Sequence, residues 1–143
     1  MKKILPLLAL GAILMLAFSF GTAAQENKTP EQREKEFYEA LEKQVEHMEE
    51  QLKLEDWQVF YVDSILTHDY KAMQDEFAIM SAAKVTNSDL FYDVQDKWME
   101  QIYQSLRKVL NDEQWKVYEK SGAARDKKLR DKRAAKKNSK PAK

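Results

Sequence analysis

Apolar residues recur at every third or fourth position along three long stretches of the chain, and charged residues fill most positions between them. This spacing places the apolar side chains on one face of an α-helix. The stretches cover 30–52, about 56–82 and about 88–109. A fourth stretch begins after residue 111 and has few apolar residues beyond Gly122. The pattern predicts an all-α chain of four helices, in which the long helices pair as antiparallel hairpins.

Glycine and proline, the residues that most often interrupt helices, are scarce. Beyond residue 24 the chain has one glycine, Gly122, and two prolines, Pro30 and Pro141. Turns that need a positive φ therefore have almost no glycine to use. The same scarcity excludes a glycine-rich phosphate loop and the G-x-S-x-G nucleophile turn, so nucleotide-driven work is not expected.

Two of the expected helices begin with the same pattern, a leucine followed four residues later by a glutamine. In the second copy Asn111 can cap the helix, and the glutamine can reach back to the backbone N–H of the cap. Glu55 stands at the cap position of the first copy, where Ser, Thr, Asp or Asn would cap better. Both copies are therefore predicted to be capping boxes. The repeat residues are Leu54, Gln58, Leu110 and Gln114.

The beginning of the chain has the layout of a secretory signal. Lys2 and Lys3 precede an apolar run over 4–20, and small residues follow up to Ala24. The run approaches the roughly 20 residues of a membrane anchor, but Pro6 interrupts it and a small-residue exit follows, which favours cleavage after Ala24. The chain has no cysteine, which excludes both a lipid anchor on cysteine and disulfides. We therefore expect an exported chain.

An exported, nearly glycine-free helical chain with two such helix starts resembles the Spy/CpxP-like family of periplasmic proteins, whose repeat is written Leu-Thr-x-x-Gln (LTxxQ). The resemblance covers about residues 30–120, and the threonine is replaced by Glu55 and by Asn111. It implies a periplasmic location and long antiparallel, coiled-coil-like helices paired into a thin, cradle-like homodimer. It also implies a concave face that binds unfolded or partly folded proteins without ATP.

A second set of apolar residues lies outside the helical stripes, which are the rows of apolar residues spaced three or four positions apart. One stripe per helix would close a simple hairpin, so the additional aromatic and methionine residues indicate either a partner subunit or a client protein. The alternative is an ordinary core face that is wider than one stripe. The residues of this possible client or dimer surface are Trp57, Phe60, Tyr61, Ile65, Ile79, Tyr92, Met99 and Tyr103.

Charge is balanced overall but uneven along the chain. Residues 25–124 hold 22 acidic and 12 basic side chains, whereas 125–143 holds 10 basic and 2 acidic ones. The basic tail is either a solvated helix end that frays into disorder or an arm for anionic membrane headgroups, surface glycolipid or acidic clients. Export argues against nucleic acid as the partner.

Catalysis finds no support in the sequence, and no cofactor is expected. His47 and His68 fall on different helices, and neither stands in H-E-x-x-H or in the Glu-x-x-His spacing of bundle di-iron sites. A weak metal site from these histidines with Glu46, Glu50 or Asp69 stays open as an alternative.

Three segments are therefore expected: a signal peptide over 1–24, a helical domain over 25–124, and a basic tail over 125–143 that is helical and then disordered. The expected function is that of an ATP-independent chaperone, or of an envelope-stress regulator that occupies the exterior domain of a sensor. The alternatives are a periplasmic metal-binding sensor, marked by converging histidines, and an inert structural domain, marked by the lack of an exposed apolar face.

Overall fold

The structure, a computed structural model, describes residues 28–139. The expected signal peptide and the last residues of the basic tail, 140–143, lie outside this range. Within it the chain is helical with no strand, and α4, a π-helical turn and α5 form one bent fourth helix. The predicted all-α fold of four helices is therefore confirmed. The elements are α1 (Pro30–Leu52), α2 (Asp56–Ala82), α3 (Ser88–Val109), α4 (Asp112–Tyr118), the π turn (Glu119–Ala123) and α5 (Ala124–Asn138).

The helices pack as antiparallel neighbours because short connections join them. α2 packs against both α1 and α3, α4 contacts α1, and α5 contacts α3. The fourth helix therefore starts against one side of the three-helix layer and ends against the other. None of the helices in the described range combines the length and apolar composition needed to cross a bilayer.

The core forms where the predicted stripes meet. Every stripe residue of α1 is buried, and α2 contributes the largest share of the remaining buried side chains. Each such aliphatic or aromatic side chain stabilises the fold by about 1.5–3 kcal/mol relative to an exposed position. The buried apolar residues are Phe37, Leu41, Val45, Met48, Leu52, Val62, Leu66, Tyr70, Met73, Phe77, Ile102, Leu106, Leu110 and Trp115.

The helix ends show how the chain turns with so little glycine. Lys53 and Lys84 follow α1 and α2 closely and take φ values of 50° and 54°. A left-handed φ of this size costs a side-chain-bearing residue about 1–2 kcal/mol and is tolerated singly. Gly122 has φ 123°, which only glycine adopts readily. The single glycine of the described range thus stands where the backbone most needs one, at the bend of the fourth helix.

Candidate interaction surfaces

The two repeats, 56 residues apart in sequence, meet side by side at one end of the bundle. Gln58 and Gln114 are only 2% and 8% exposed. The Nε2 atom of Gln58 donates to Oε1 of Gln114 at 2.7 Å, and Nε2 of Gln114 donates to Oε1 of Gln58 at 2.9 Å. The side chains that start α2 and α4 therefore join in a reciprocal amide pair.

Each amide of this pair also serves its own helix and the opposite one. The backbone N–H groups of Glu55 and Asn111 donate to the glutamine oxygens of their own repeats, both at 3.0 Å. The second Nε2 donors reach across to the carbonyls of Val109 at 3.0 Å and Lys53 at 3.4 Å. Since both of these carbonyl residues directly precede a repeat leucine, the exchange is locally two-fold symmetric.

The amide pair is a structural junction. Both amide oxygens and both amide nitrogens have two partners each, so the pair uses its full hydrogen-bonding capacity. The cap N–H groups require an oxygen at that position, which fixes the orientation of each amide. A neutral and fully satisfied pair offers neither a titratable group nor a free donor for a ligand. Leu110 is buried behind it, and Leu54 packs partly buried against the core.

Close to this junction, the first two turns of α2 carry three exposed aromatic side chains, which we call the α2 aromatic cluster. Trp57, Phe60 and Tyr61 are 52%, 67% and 52% exposed. Their rings meet edge to face, with centroids 6.2 Å apart for Trp57 and Tyr61 and 5.6 Å apart for Phe60 and Tyr61. The Trp57 indole N–H donates to the Glu55 carboxylate at 2.8 Å. The cluster is therefore ordered by its own contacts while its outer surface is open to solvent.

The other members of the second apolar set divide between surface and core. Ile79 is exposed and lies five helical turns after Tyr61, so it shares the outward side of α2 with the cluster. Tyr92 is exposed on α3. Ile65, Met99 and Tyr103 are partly buried and pack against the core. The structure thus brings Trp57, Phe60 and Tyr61 together, and it places Ile65, Met99 and Tyr103 elsewhere.

A row of carboxylates on α3, the α3 acid ladder, pairs with cations of α5, which we call the α5 arm. The Arg133 guanidinium donates to both carboxylate oxygens of Asp96, at 2.7 and 2.6 Å. Arg130 donates to Glu100 at 3.2 Å, and Lys137 is paired with Asp93. Both rows have the spacing i, i+3, i+7, so one side of each helix faces the other along about two turns.

Two tyrosines reinforce these ion pairs. The Arg130 guanidinium lies 5.6 Å from the ring centroid of Tyr103, and that of Arg133 lies 5.9 Å from the ring of Tyr92. Cations at this distance are attracted to the face of an aromatic ring. Arg130 is only 7% exposed, so this contact is the desolvated part of the ladder.

The charge state of Glu100 follows from the same contacts. Partial burial opposes its ionisation, but hydrogen bonds from Gln104 and Arg130 and the nearby charge of Lys127 outweigh this effect. The pKa of Glu100 is therefore lower than its ordinary value. The carboxylate is therefore ionised near neutral pH, where the arm cations are also charged, and the ladder is intact.

Sequence reasoning recognised the basic tail but missed its docking on α3. Residues 124–138 form a helix whose inner cations are paired with acids of the body, an arrangement that neither interpretation of the tail contained. The matching i, i+3, i+7 spacing of opposite charges was present in the sequence as a signal. The pairs join two segments of opposite net charge, so the charge balance of either segment alone does not reveal them.

Within the described residues, the two histidines are exposed and are not gathered with other potential ligands into a metal-binding group. His47 is exposed on α1, and the His68 side chain is 74% exposed. His68 Nδ1 lies 2.7 Å from Asp69 Oδ1, which also accepts from Gln101 at 2.9 Å. No group of three or more His, Cys, Asp or Glu side chains in the described range is arranged to hold a metal ion.

A semi-open cavity of about 80 Å³ lies beside the π turn, bounded by α1, α2, α3 and residues 118–126. Burial raises the pKa values of Tyr70 and Tyr118 on its wall, so both phenols are neutral. Oε1 of Gln44, also on the wall, accepts no hydrogen bond. The volume exceeds the roughly 10–15 Å³ that a cavity needs in order to hold one water molecule.

No family model, curated protein or solved structure matches this chain.

Proposed function

We propose that the chain is an exported, ATP-independent, protein-binding chaperone or envelope-stress regulator of the Spy/CpxP type, acting in the periplasm. The observation that carries this proposal is the α2 aromatic cluster. Three large aromatic side chains stand more than half exposed on one helix whose opposite face is buried in the core. Exposed apolar side chains that cluster in this way mark binding surfaces for other proteins.

Charge supports the same function. Residues 25–124 carry an excess of about ten negative charges, which attracts positively charged unfolded segments over long distances. Shallow contacts with exposed aromatic rings then hold the segment. As the client folds it buries its own apolar groups, the contacts weaken, and it leaves without an external energy source.

A second copy of the chain and the exterior domain of a sensor are further proposed partners. Homodimer formation through the long helices would cover part of the exposed apolar surface, which includes Phe60, Tyr61 and Tyr92. A sensor domain would use the same surface, so that occupied and free states of the chain could report on the supply of unfolded protein.

The deciding experiment measures aggregation of an unrelated unfolding protein in the presence of stoichiometric amounts of the chain, without ATP. We expect the wild-type chain to suppress light scattering, and the double variant Phe60→Ser/Tyr61→Ser to lose most of this effect. Leu129→Ser is the matched control, because Leu129 is similarly exposed, at 47%, but lies on α5. Equal suppression by the cluster variant and by the control would remove the cluster from the proposal, and no suppression by the wild type would refute the function.

A further inference from the structure

The α3 acid ladder already holds a ligand, and this ligand is part of the same chain. Asp93, Asp96 and Glu100 each receive one of the three arm cations Lys137, Arg133 and Arg130, and Lys127 adds a second contact to Glu100 at 3.4 Å. The guanidinium of Arg133 is bound through both of its Asp96 contacts. A bidentate pair of this kind is selective for geometry as well as for charge. The arm therefore shows which ligand the surface accepts: a helix with cations at i, i+3 and i+7.

We propose that the α3 acid ladder, with Tyr92 and Tyr103, is a docking surface for a basic helix of a client protein, and that the α5 arm is a built-in competitor for it. The identity of the partner as a client rests on the proposed function. The docking surface itself is defined by the contacts of the arm and can be tested without a chaperone assay.

The contacts that hold the arm on α3 are weak enough for it to dissociate. Its contacts to α3 are mainly ion pairs and cation–ring contacts, while its leucine, Leu129, is 47% exposed and Ala134 and Ala135 are exposed. A segment with few buried apolar contacts opens at much lower free energy than the core. Gly122, with its φ of 123°, lies directly before the arm and can change conformation without the steric penalty of a side chain.

A client helix can displace the arm if it supplies the apolar contacts to α3 that the arm lacks. The arm competes at a high effective concentration because it is tethered a few residues away. A client helix that has the same cation spacing and also apolar residues on its ladder-facing side would add burial against Tyr92 and Tyr103, which the alanines and lysines of the arm do not supply. We therefore expect basic amphipathic segments to displace the arm, and purely basic segments to compete poorly.

The test uses the full-length chain and a fluorescent peptide with the sequence of residues 124–138. Arg133→Glu sets a carboxylate against Asp96 and releases the arm without altering the ladder. We expect the peptide to bind the Arg133→Glu chain at least tenfold more tightly than the wild-type chain, as measured by fluorescence anisotropy at low ionic strength. Equal affinity for the two chains would overturn the role of the arm as competitor.

Matched variants separate the ladder from general charge. Asp96→Arg also releases the arm, but it reverses the charge at the centre of the ladder, so the peptide should not bind this chain. The double variant Asp96→Arg/Arg133→Glu restores opposite charges within the chain and should again exclude the peptide. Lys137→Glu, at the exposed end of the ladder, releases the arm more mildly and replaces Arg133→Glu if circular dichroism shows that variant to be unfolded. Binding of the peptide to Asp96→Arg as tightly as to Arg133→Glu would overturn the docking surface.

The spacing is tested with a second peptide of identical composition, in which the three cations are moved out of the i, i+3, i+7 pattern. It should bind the Arg133→Glu chain at least fivefold more weakly. Equal binding would show that net charge alone is recognised and would refute the ladder as the recognition element.

A second copy of the chain is the competing occupant. If wild-type chains exchange arms, the wild-type chain should sediment as a dimer at low ionic strength, and the Arg133→Glu chain should sediment as a monomer. This result would assign the ladder to self-association and overturn the client proposal, whereas a wild-type monomer, or a dimer that the variant retains, supports it. Peptide binding that fails while aggregation is still suppressed overturns this inference and leaves the proposed function standing.

Discussion

At the scale of single residues, the glutamines of the two repeats explain why a leucine and a glutamine recur. Gln58 and Gln114 each satisfy the cap of their own helix and, across the junction, the backbone that precedes the other repeat. A capping box on a solvated helix would need only the first of these contacts. The burial of both amides therefore makes the repeat a tertiary element as well as a helix start.

The first prediction concerns this pair. Replacing one glutamine by alanine leaves buried donors and acceptors of the other without partners, which costs about 2–3 kcal/mol. We expect Gln58→Ala and Gln114→Ala each to lower the free energy of unfolding by about this amount, measured by urea denaturation. The double variant should cost at least about 1 kcal/mol less than the sum, since the second change removes groups that the first left unpaired.

Gln32 supplies the matched control for this cycle. Its Oε1 accepts from the backbone N–H of Thr29 at 3.0 Å in an exposed capping box at the start of α1. Gln32→Ala should therefore cost about 0.5–1 kcal/mol, the range of an ordinary cap. A loss at Gln58 or Gln114 no larger than at Gln32 would contradict the role assigned to the amide pair.

The second prediction concerns Glu100, whose pKa in the folded chain is below its ordinary value of 4.5. A lowered pKa contributes stability that is complete above the unfolded value and is lost as the pH falls through the folded value. We expect Glu100→Gln to be less stable than the wild type at pH 7 by less than about 1 kcal/mol, because the ion pair is partly exposed. The difference should shrink below about pH 4.5 and vanish at lower pH, measured by urea denaturation across this range.

Glu42→Gln controls for the change in net charge, because Glu42 is exposed on α1. At pH 7, Glu42→Gln should change the free energy of unfolding less than Glu100→Gln does. A difference between wild type and Glu100→Gln that persists unchanged at pH 3 would contradict the assignment of the pKa shift to the contacts of Glu100 with Gln104 and with the arm.

At the scale of elements, the bend of the fourth helix decides where its cations lie. α4 packs against α1 with Trp115 in the core, and α5 instead follows α3. The π turn and Gly122 absorb the change of direction between the two. A straight helix over the same residues could not keep both sets of contacts in their present register.

The third prediction follows from the φ of Gly122. A Cβ at this position would have space, since the nearest atom, Nη2 of Arg125, would be 3.9 Å away. The cost of Gly122→Ala is therefore in the backbone, at about 1–3 kcal/mol. We expect this strain to loosen α5 selectively, seen as faster hydrogen exchange of its amides with little change in α1 to α3.

Gly122→Asn is the graded control, because asparagine enters positive φ several times more often than alanine. It should protect the α5 amides more than Gly122→Ala does. The reverse order, or uniform loss of protection over the whole bundle, would show that the bend is not held by the conformation of residue 122.

At the scale of the whole molecule, charge is divided between an acidic body and a basic arm that partly neutralises it. Residues 125–143 carry 10 basic and 2 acidic side chains, a net charge of about +8, whereas residues 25–124 carry a net charge of about −10. The acidic surface available to a basic client therefore depends on whether the arm is docked.

The fourth prediction concerns capture of positively charged unfolded clients. Raising the ionic strength from about 0.02 M to 0.5 M shortens the screening length from roughly 20 Å to 4 Å, which should slow association far more than it speeds dissociation. Deleting residues 127–143 should speed capture at low salt, since it removes repelling cations and uncovers the α3 acid ladder. Stopped-flow association rates of both chains test this directly.

Salt also loosens the arm of the wild-type chain, so its association rate should fall less steeply with ionic strength than that of the deleted chain. Association rates that do not change with ionic strength would contradict long-range electrostatic attraction as the cause of capture. Capture that disappears with the deletion would make the arm itself the docking element.

The sequence was informative about helices and about one side of each. The stripe from Phe37 to Leu52 is wholly buried in α1, and Asn111 caps α4 with a hydrogen bond from the backbone N–H of Gln114 at 2.9 Å. Both features are local, since a helix repeats every 3.6 residues and a cap acts within one turn. The scarcity of glycine was less informative, because Lys53 and Lys84 take left-handed turns.

By itself, the sequence determined an all-α chain, the extent of its helices, their buried faces and the capping function of the repeats. Only the tertiary structure decided that Gln58 meets Gln114, that the α5 arm lies on α3, and that Trp57, Phe60 and Tyr61 remain exposed while Met99 and Tyr103 pack against the core. The physical reason is the distance along the sequence over which each feature is determined. Periodicity and capping follow from backbone geometry over a few residues, whereas the amide pair and the arm contacts join positions 30 or more residues apart, whose proximity depends on how all four helices pack at once.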